Sequence, residues 1–97
     1  MLTHNGKEIV IEFTKLPETV NGITGDIEDS GYYLVLINSA KTPQRQRRAI
    51  GHELAHIFLD HFNQSERPLQ EIEHEANINA WEYYRLYKNG TLEITSR

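Results

Sequence analysis

Residues 32–61 read YYLVLINSAKTPQRQRRAIGHELAHIFLDH, and this stretch predicts a buried strand, a short link and a long helix. The run YYLVLI over Tyr32–Ile37 is continuously apolar, which is typical of a well-buried strand. Thr42 is a candidate N-cap, and Pro43 then occupies the first helical position, where its missing N–H has no cost. The helix is predicted to run from there to about His61.

The flanking sequence predicts strands before this segment and a second helix after it. KEIVIEF over 7–13 places Ile9, Ile11 and Phe13 on alternate positions, as in a half-buried strand. The other predicted elements are a short strand over 22–27, a loop over 63–68, a helix over 69–88 ended by Asn89-Gly90, and a terminal strand or frayed end over 91–97. Strands followed by two helices predict the α+β class, with a short antiparallel or mixed sheet packed on the first helix.

Composition limits the classes of protein that this chain can belong to. The 97 residues predict one small domain, and the absence of cysteine excludes disulfides and cysteine-based zinc sites. We see no apolar run long enough for a membrane span and no secretory signal, so we expect a cytoplasmic protein without a membrane partner. The net charge of −4 argues against direct nucleic-acid binding.

One basic segment departs from this acidic balance. Residues 45–48 read Arg-Gln-Arg-Arg, just before the apolar part of the predicted helix. No aromatic residue is interleaved, so we interpret the segment as a solvated turn leading into the helix. The alternative is a patch that contacts phosphate groups.

The predicted helix contains His52-Glu53-Leu54-Ala55-His56, an H-E-x-x-H motif. Residues four apart share one face of a helix, so both imidazoles can bind the same ion. Neutral histidine nitrogens are good Zn²⁺ ligands, and the adjacent Glu53 can act as the general base toward a water that the metal activates. The alternative is a pair of core histidines that are hydrogen-bonded to backbone.

A third ligand has to come from another part of the chain. Asp60 lies about 6 Å further along the helix axis than His56, too far for the same ion. The extended motif with a third histidine requires glycine and histidine at positions 59 and 62, where this chain has Leu59 and Phe62. His61 is therefore not predicted as a ligand.

The second helix offers the better candidates. Its helical wheel places Glu73 at the rim of the buried face, one turn before Asn77, which could orient a ligand. Glu75 falls on the polar side, and His74 could reach a metal only if the helix were rotated. Glu73 is the predicted ligand, and Glu75 and His74 remain open. The nearby Tyr83, Tyr84 and Tyr87 have the spacing of a packing stripe rather than of catalytic groups.

The segments INSAKTPQRQRRAIGHELAHIFLDH (37–61) and EHEANINA (73–80) resemble the ImmA/IrrE family of zinc metallopeptidases. The resemblance implies a small zincin-like domain with His52, His56 and Glu73 as zinc ligands and Glu53 as the catalytic carboxylate. It also implies a sheet edge beside the metal, with Tyr32–Ile37 as the strand to which a peptide substrate adds.

The resemblance further implies a cytoplasmic zinc endopeptidase that acts on a regulatory protein, such as the repressor of a phage or mobile element. One alternative is a zinc-containing module that binds a repressor or a toxin–antitoxin partner without cleaving it. Another is a DNA-associated protease of the SprT-like kind, which would require a third histidine and a basic surface. The oligomeric state stays open.

Overall fold

In the computed structural model, residues 2–27 and 30–90 are described, and the predicted terminal strand over 91–97 lies outside them. The described residues form four strands, then two α-helices with a short 3₁₀ helix between them. The elements are β1 (Thr3–His4), β2 (Lys7–Thr14), β3 (Gly22–Ile27), β4 (Tyr32–Asn38), α1 (Pro43–Phe58), the 3₁₀ helix (His61–Asn63) and α2 (Leu69–Lys88). This confirms the α+β class and the bounds predicted for the second helix.

The strands form one mixed sheet in the order β1-β2-β4-β3. β2 and β4 are parallel, whereas β1 and β3 pair antiparallel with their neighbours. β4 therefore lies inside the sheet, and β3 lies at the edge. The prediction that Tyr32–Ile37 is the docking strand at the sheet edge is wrong, because both sides of β4 are already hydrogen-bonded. Among the described residues, β3 forms one edge of the sheet, and β1 with the part of β2 beyond it forms the other. An added strand near His52 and Glu53 would pair with β3.

One face of the sheet packs against α1. Val35 and Ile37 are fully buried, and alternate residues of β4 are only half-buried, so the strand is covered on a single face. Apolar residues of α1 complete the core on the other side, notably Leu54 and Ile57. The apolar run of β4 predicted the strand. Because the run is continuous and does not alternate with polar residues, it does not show which face of the strand is covered.

Helix α1 begins as predicted and ends earlier. Thr42 caps its N-terminus, its hydroxyl accepting from the Arg45 amide at 3.3 Å. The helix ends at Phe58 rather than near His61, because Asp60 adopts a left-handed conformation with φ of 59°. Aspartate is among the few residues that tolerate this conformation, and it turns the chain back toward α1. His61 is buried as a result, at 6% exposure.

The short hairpin of β1 and β2 was not predicted. Asn5 and Gly6 form its turn, both with positive φ. Asn-Gly is a strong signal for a two-residue hairpin turn, so the sequence did contain the information.

A fully buried amide holds the loop between β2 and β3. The Asn38 side chain accepts hydrogen bonds from the Leu16 and Ala40 amides at 3.1 and 3.0 Å. It donates to the carbonyls of Leu16, Pro17 and Val20, at 3.2, 3.2 and 2.8 Å. These bonds fix the segment that leads into the edge strand β3.

The two helices approach each other closely where their residues are small. A Cβ atom placed on Gly51 would lie 1.7 Å from the Ala80 carbonyl oxygen, so only glycine fits at position 51. Ala76 and Ala80 of α2 are fully buried. Neither helix in the described part of the chain is long and apolar enough to cross a membrane.

We expect Gly51→Ala to destabilise the fold. The added methyl group forces the helices apart, and overpacking of this kind costs about 1–3 kcal/mol, more than the gain of up to about 1 kcal/mol in helix propensity. Urea unfolding should therefore show a lower free energy of unfolding. Gly25→Ala is the matched control, because the nearest atom to its added Cβ lies 3.4 Å away. Equal stability of the two variants would contradict the close approach of the helices.

Candidate metal centre

His52, His56 and Glu73 meet where α1 faces α2. The two Nε2 atoms of the histidines are 3.1 Å apart. Glu73 completes a triangle, with Oε1 at 3.1 Å from His52 Nε2 and Oε2 at 3.2 Å from His56 Nε2. Among the described residues, these three form the one group of three or more histidine, cysteine, aspartate or glutamate side chains that could hold a metal ion.

The dimensions of this triangle fit a tetrahedral metal ion. Zinc–ligand bonds of about 2.0–2.1 Å place the ligand atoms about 3.3–3.4 Å apart, close to the observed separations. Protons on the two nitrogens could satisfy at most two of the three contacts, whereas one cation satisfies all three. The side chain of Glu73 is 46% exposed, so one side of the triangle is open to solvent. The donor set therefore fits a metal with an open coordination position.

Both histidines are held in a largely desolvated environment, with side chains 16% and 12% exposed. Burial lowers the pKa of His56 to about 4, against a smaller opposing effect of Glu73. The imidazole of His56 is therefore neutral near pH 7, and a neutral imidazole is the form that binds metal.

Glu53 lies beside the triangle and is buried, at 6% exposure. Its Oε1 accepts a hydrogen bond from the Thr24 hydroxyl at 2.6 Å, and among the described residues Oε2 has no hydrogen-bond partner. Burial raises the pKa of Glu53, an effect that the Thr24 hydrogen bond partly offsets. A carboxylate with a raised pKa and one unengaged oxygen is suited to accept a proton.

A second layer of polar side chains contacts His56 from behind. His56 Nδ1 lies 2.9 Å from His61 Nδ1, and His61 Nε2 lies 2.7 Å from Glu75 Oε1. Arg67 also donates to Glu75 Oε1, at 2.9 Å. The hydrogen bonds from His61 and Arg67 lower the pKa of Glu75, so this carboxylate is ionised at neutral pH.

These contacts determine which nitrogen of His56 is free. The Glu75 carboxylate accepts from His61 Nε2–H, and in the neutral form of that imidazole Nδ1 then carries a lone pair. His56 then donates from Nδ1–H to that lone pair, and its Nε2 keeps a lone pair for the metal. A hydrogen-bonded partner of this kind orients a metal-binding histidine and fixes its tautomer.

The structure shows where each of the three candidates for the third ligand lies. Glu73 lies at the histidine pair, Glu75 lies behind it on His61, and His74 is exposed. The supporting role of His61 and Glu75 was missed because the Asp60 turn, which brings His61 back toward α1, has no glycine to signal it. Tyr83 stacks on Phe58 with ring centroids 6.0 Å apart, in agreement with a packing role.

Two cavities flank the triangle and share the residues Gly22, His52 and Glu53. One, of about 380 Å³, adds four apolar side chains to the residues of the triangle, which are Ile23, Phe62, Leu69 and Ile72. The other, of about 410 Å³, includes Arg45, Arg48 and Asn77 together with residues 19–21 of the loop that Asn38 holds. Together they form a cleft along the β3 edge.

An α+β fold with H-E-x-x-H on one helix and a facing glutamate on the next defines a metallopeptidase-like domain. The chain matches peptidase family M78, described as the IrrE N-terminal-like domain, over residues 7–84. It therefore belongs to this family, which confirms the resemblance to ImmA/IrrE proteins. No curated protein and no solved structure matches the chain.

We expect the purified protein to hold about one zinc ion per chain, and His56→Ala and Glu73→Ala to lose it. Each substitution removes one of three ligands, which leaves too few donors to retain the ion through gel filtration. Metal content by mass spectrometry is the measurement, with His74→Ala as the control that keeps its zinc. Zinc retained in Glu73→Ala would contradict the assignment of this carboxylate.

We expect His61→Ala to weaken zinc binding without abolishing it. The substitution removes the acceptor that orients His56, and losing such a partner typically costs about 10–100-fold in metal affinity. Competition with a chromogenic chelator measures the affinity, and a thermal melt of each variant reports on folding. An affinity equal to that of His74→Ala would contradict the orienting role.

Proposed function

We propose that this protein is a zinc-dependent endopeptidase. One observation carries the proposal: the triangle of His52, His56 and Glu73 lies beside the buried Glu53, whose Oε2 is unengaged, in a cleft bounded by an open sheet edge. Three protein ligands and an open position are typical of a catalytic rather than a structural zinc site. Membership of a peptidase family supports the same reaction class.

Glu53 is the proposed general base and acid. When bound, zinc makes water more acidic and polarises the substrate carbonyl. Thr24 holds Glu53 Oε1, so Oε2 is the atom that accepts a proton from the attacking water. The same carboxyl then donates that proton to the nitrogen of the leaving amine as the peptide bond breaks. The raised pKa of Glu53 favours both proton transfers, because it lies closer to neutral pH than the pKa of an ordinary glutamate does.

The edge strand β3 is the proposed docking site for the substrate backbone. An extended peptide can add to an open sheet edge through main-chain hydrogen bonds. Gly22 keeps this approach open, because a Cβ atom there would lie 3.3 Å from Glu53 Cγ and would crowd the base. The peptide would then pass the metal triangle at the point where the two cavities meet.

The proposed substrate is a regulatory protein in the cytoplasm, such as the repressor of a phage or mobile element. This part of the proposal rests on the family resemblance, since the cleft itself defines only a segment of extended chain.

A second candidate function is a zinc-containing module that binds a regulatory partner and cleaves nothing. One observation favours it: none of the tyrosines among the described residues lines either cavity. Many hydrolases supply side-chain or backbone donors to the oxyanion, and no tyrosine hydroxyl is available for that task here.

Glu53→Gln distinguishes the two candidates. The variant keeps the size of the side chain and an oxygen for Thr24, so we expect normal zinc content and stability. Loss of the base should lower the hydrolysis of labelled, unfolded casein by at least about 100-fold. Glu71→Gln is the matched control, an exposed glutamate on α2 that should leave activity unchanged.

Hydrolysis that persists in zinc-loaded Glu53→Gln would overturn the role of Glu53. A wild-type protein that holds zinc yet cleaves neither casein nor a broad peptide library would favour the binding module.

A further inference from the structure

The cleft has two arms of different chemistry. The cationic arm is the cavity of about 410 Å³, and the apolar arm is the cavity of about 380 Å³. Arg45 and Arg48 line the cavity on one side of His52 and Glu53, whereas Arg47 of the same basic segment lines a different cavity, beside Phe13 and Ile50. The interpretation of this segment as a turn is wrong, because residues 45–48 belong to the first turns of α1, and its arginines divide between two surfaces. Two of its three arginines line the same cavity as the proposed catalytic carboxylate.

These two arginines have no acidic partner within residues 2–27 and 30–90. Two other arginines in that part of the chain are ion-paired, Arg67 with Glu71 and Glu75, and Arg85 with Glu82, whereas Arg47 is not. Arg48 makes one long hydrogen bond, from Nη2 to the Asn77 carbonyl at 3.5 Å, which anchors it across the two helices. In a chain of net charge −4, these two guanidinium groups concentrate positive charge in a cavity whose one acidic lining residue is Glu53.

The opposite arm presents apolar surface. Ile23, Phe62 and Leu69 line it and are 54%, 41% and 72% exposed. Large apolar side chains that stay exposed together next to a reaction centre indicate a contact surface for a ligand. Both arms share Gly22 and His52, so a single extended peptide along β3 would cross from one arm to the other.

We infer that the cleft selects peptides with an aspartate or glutamate on one side of the scissile bond and a large apolar residue on the other. This inference rests on the proposed peptidase function and deepens it. A substrate carboxylate in the cationic cavity would accept charge-assisted hydrogen bonds from Arg45 and Arg48, and guanidinium groups match carboxylates in a bidentate geometry. The apolar side chain would be covered by Ile23, Phe62 and Leu69.

An acidic peptide fits this site better than a nucleic acid does. The arginines occupy a cavity that continues into the groove at Glu53, rather than a broad face of basic residues. Among the residues that the structure describes, Phe62 is the one aromatic side chain other than histidine that lines these cavities, so bases would not find several rings to stack on. Phosphate binding also depends on extended positive charge, which this acidic chain lacks.

The first test compares cleavage by the zinc-loaded wild type, Arg45→Ala/Arg48→Ala and Arg47→Ala/Lys88→Ala. The last variant is the control, because it removes the same charge from the other cavity, which Arg47 and Lys88 line. The substrate is a library of dodecapeptides acetylated and amidated at their ends, so that every carboxylate belongs to a side chain. Mass spectrometry identifies the cleaved bonds.

We expect wild type and control to prefer bonds flanked by an acidic and an apolar residue. The cleft double variant should lower kcat/KM for these peptides by about tenfold or more and leave peptides without acidic residues unaffected, since it loses charge-assisted bonds only. Absence of the acidic preference in the wild type, or its persistence in the double variant, would overturn the inference while the peptidase function stands.

The second test measures binding without turnover. Zinc-loaded Glu53→Gln is titrated with two labelled dodecapeptides. They are identical except that one carries Asp and Glu where the other carries Asn and Gln. The titrations are repeated with a protein that also carries Arg45→Ala and Arg48→Ala. Tighter binding of the acidic peptide, lost in the arginine variant, supports the inference even if the wild type cleaves nothing. Equal binding of both peptides, or arginine-dependent binding of a DNA oligonucleotide alone, would overturn it.

Discussion

The close approach of α1 and α2 at Gly51 and Ala80 is the constraint on which the remaining structure depends. With no side chain at position 51, the two backbones approach closely enough for Glu73 to reach the histidine pair on α1. The same proximity places the Asn77 carbonyl within reach of Arg48. One small residue therefore governs both the candidate metal triangle and the wall of the cationic cavity, although it belongs to neither.

Local patterns in the sequence were enough to predict β2, β3, β4 and both long helices, together with the helix faces that carry the candidate ligands. Histidines four residues apart on α1, and a glutamate at the rim of the buried face of α2, are consequences of helix geometry alone. The structure brings His52, His56 and Glu73 together as that geometry suggests. Strand order was beyond the same reasoning, because a parallel pairing between β2 and β4 joins residues that are distant in sequence. The edge position of β3 follows only from that pairing.

The second layer of the site was hidden for a different physical reason. A left-handed aspartate at position 60 ends α1 and returns His61 to His56, and no local pattern marks such a turn when glycine is absent. Glu75 was interpreted as a solvated residue because a helical wheel gives the direction of a side chain. It does not show which residue of another element lies in that direction. Arg67 and His61 both come from the connection between the helices, so the role of Glu75 depends on a segment without regular periodicity.

Asn38 has a further consequence for how the cleft meets a ligand. Its buried amide ties down the segment that leads into β3, and Thr19, Val20 and Asn21 of that segment form one wall of the cleft. The conformational entropy of this wall is thus lost when the chain folds, not when a ligand arrives. A preorganised wall adds little ordering cost to association. Affinity at this side of the cleft is then set by the contacts themselves.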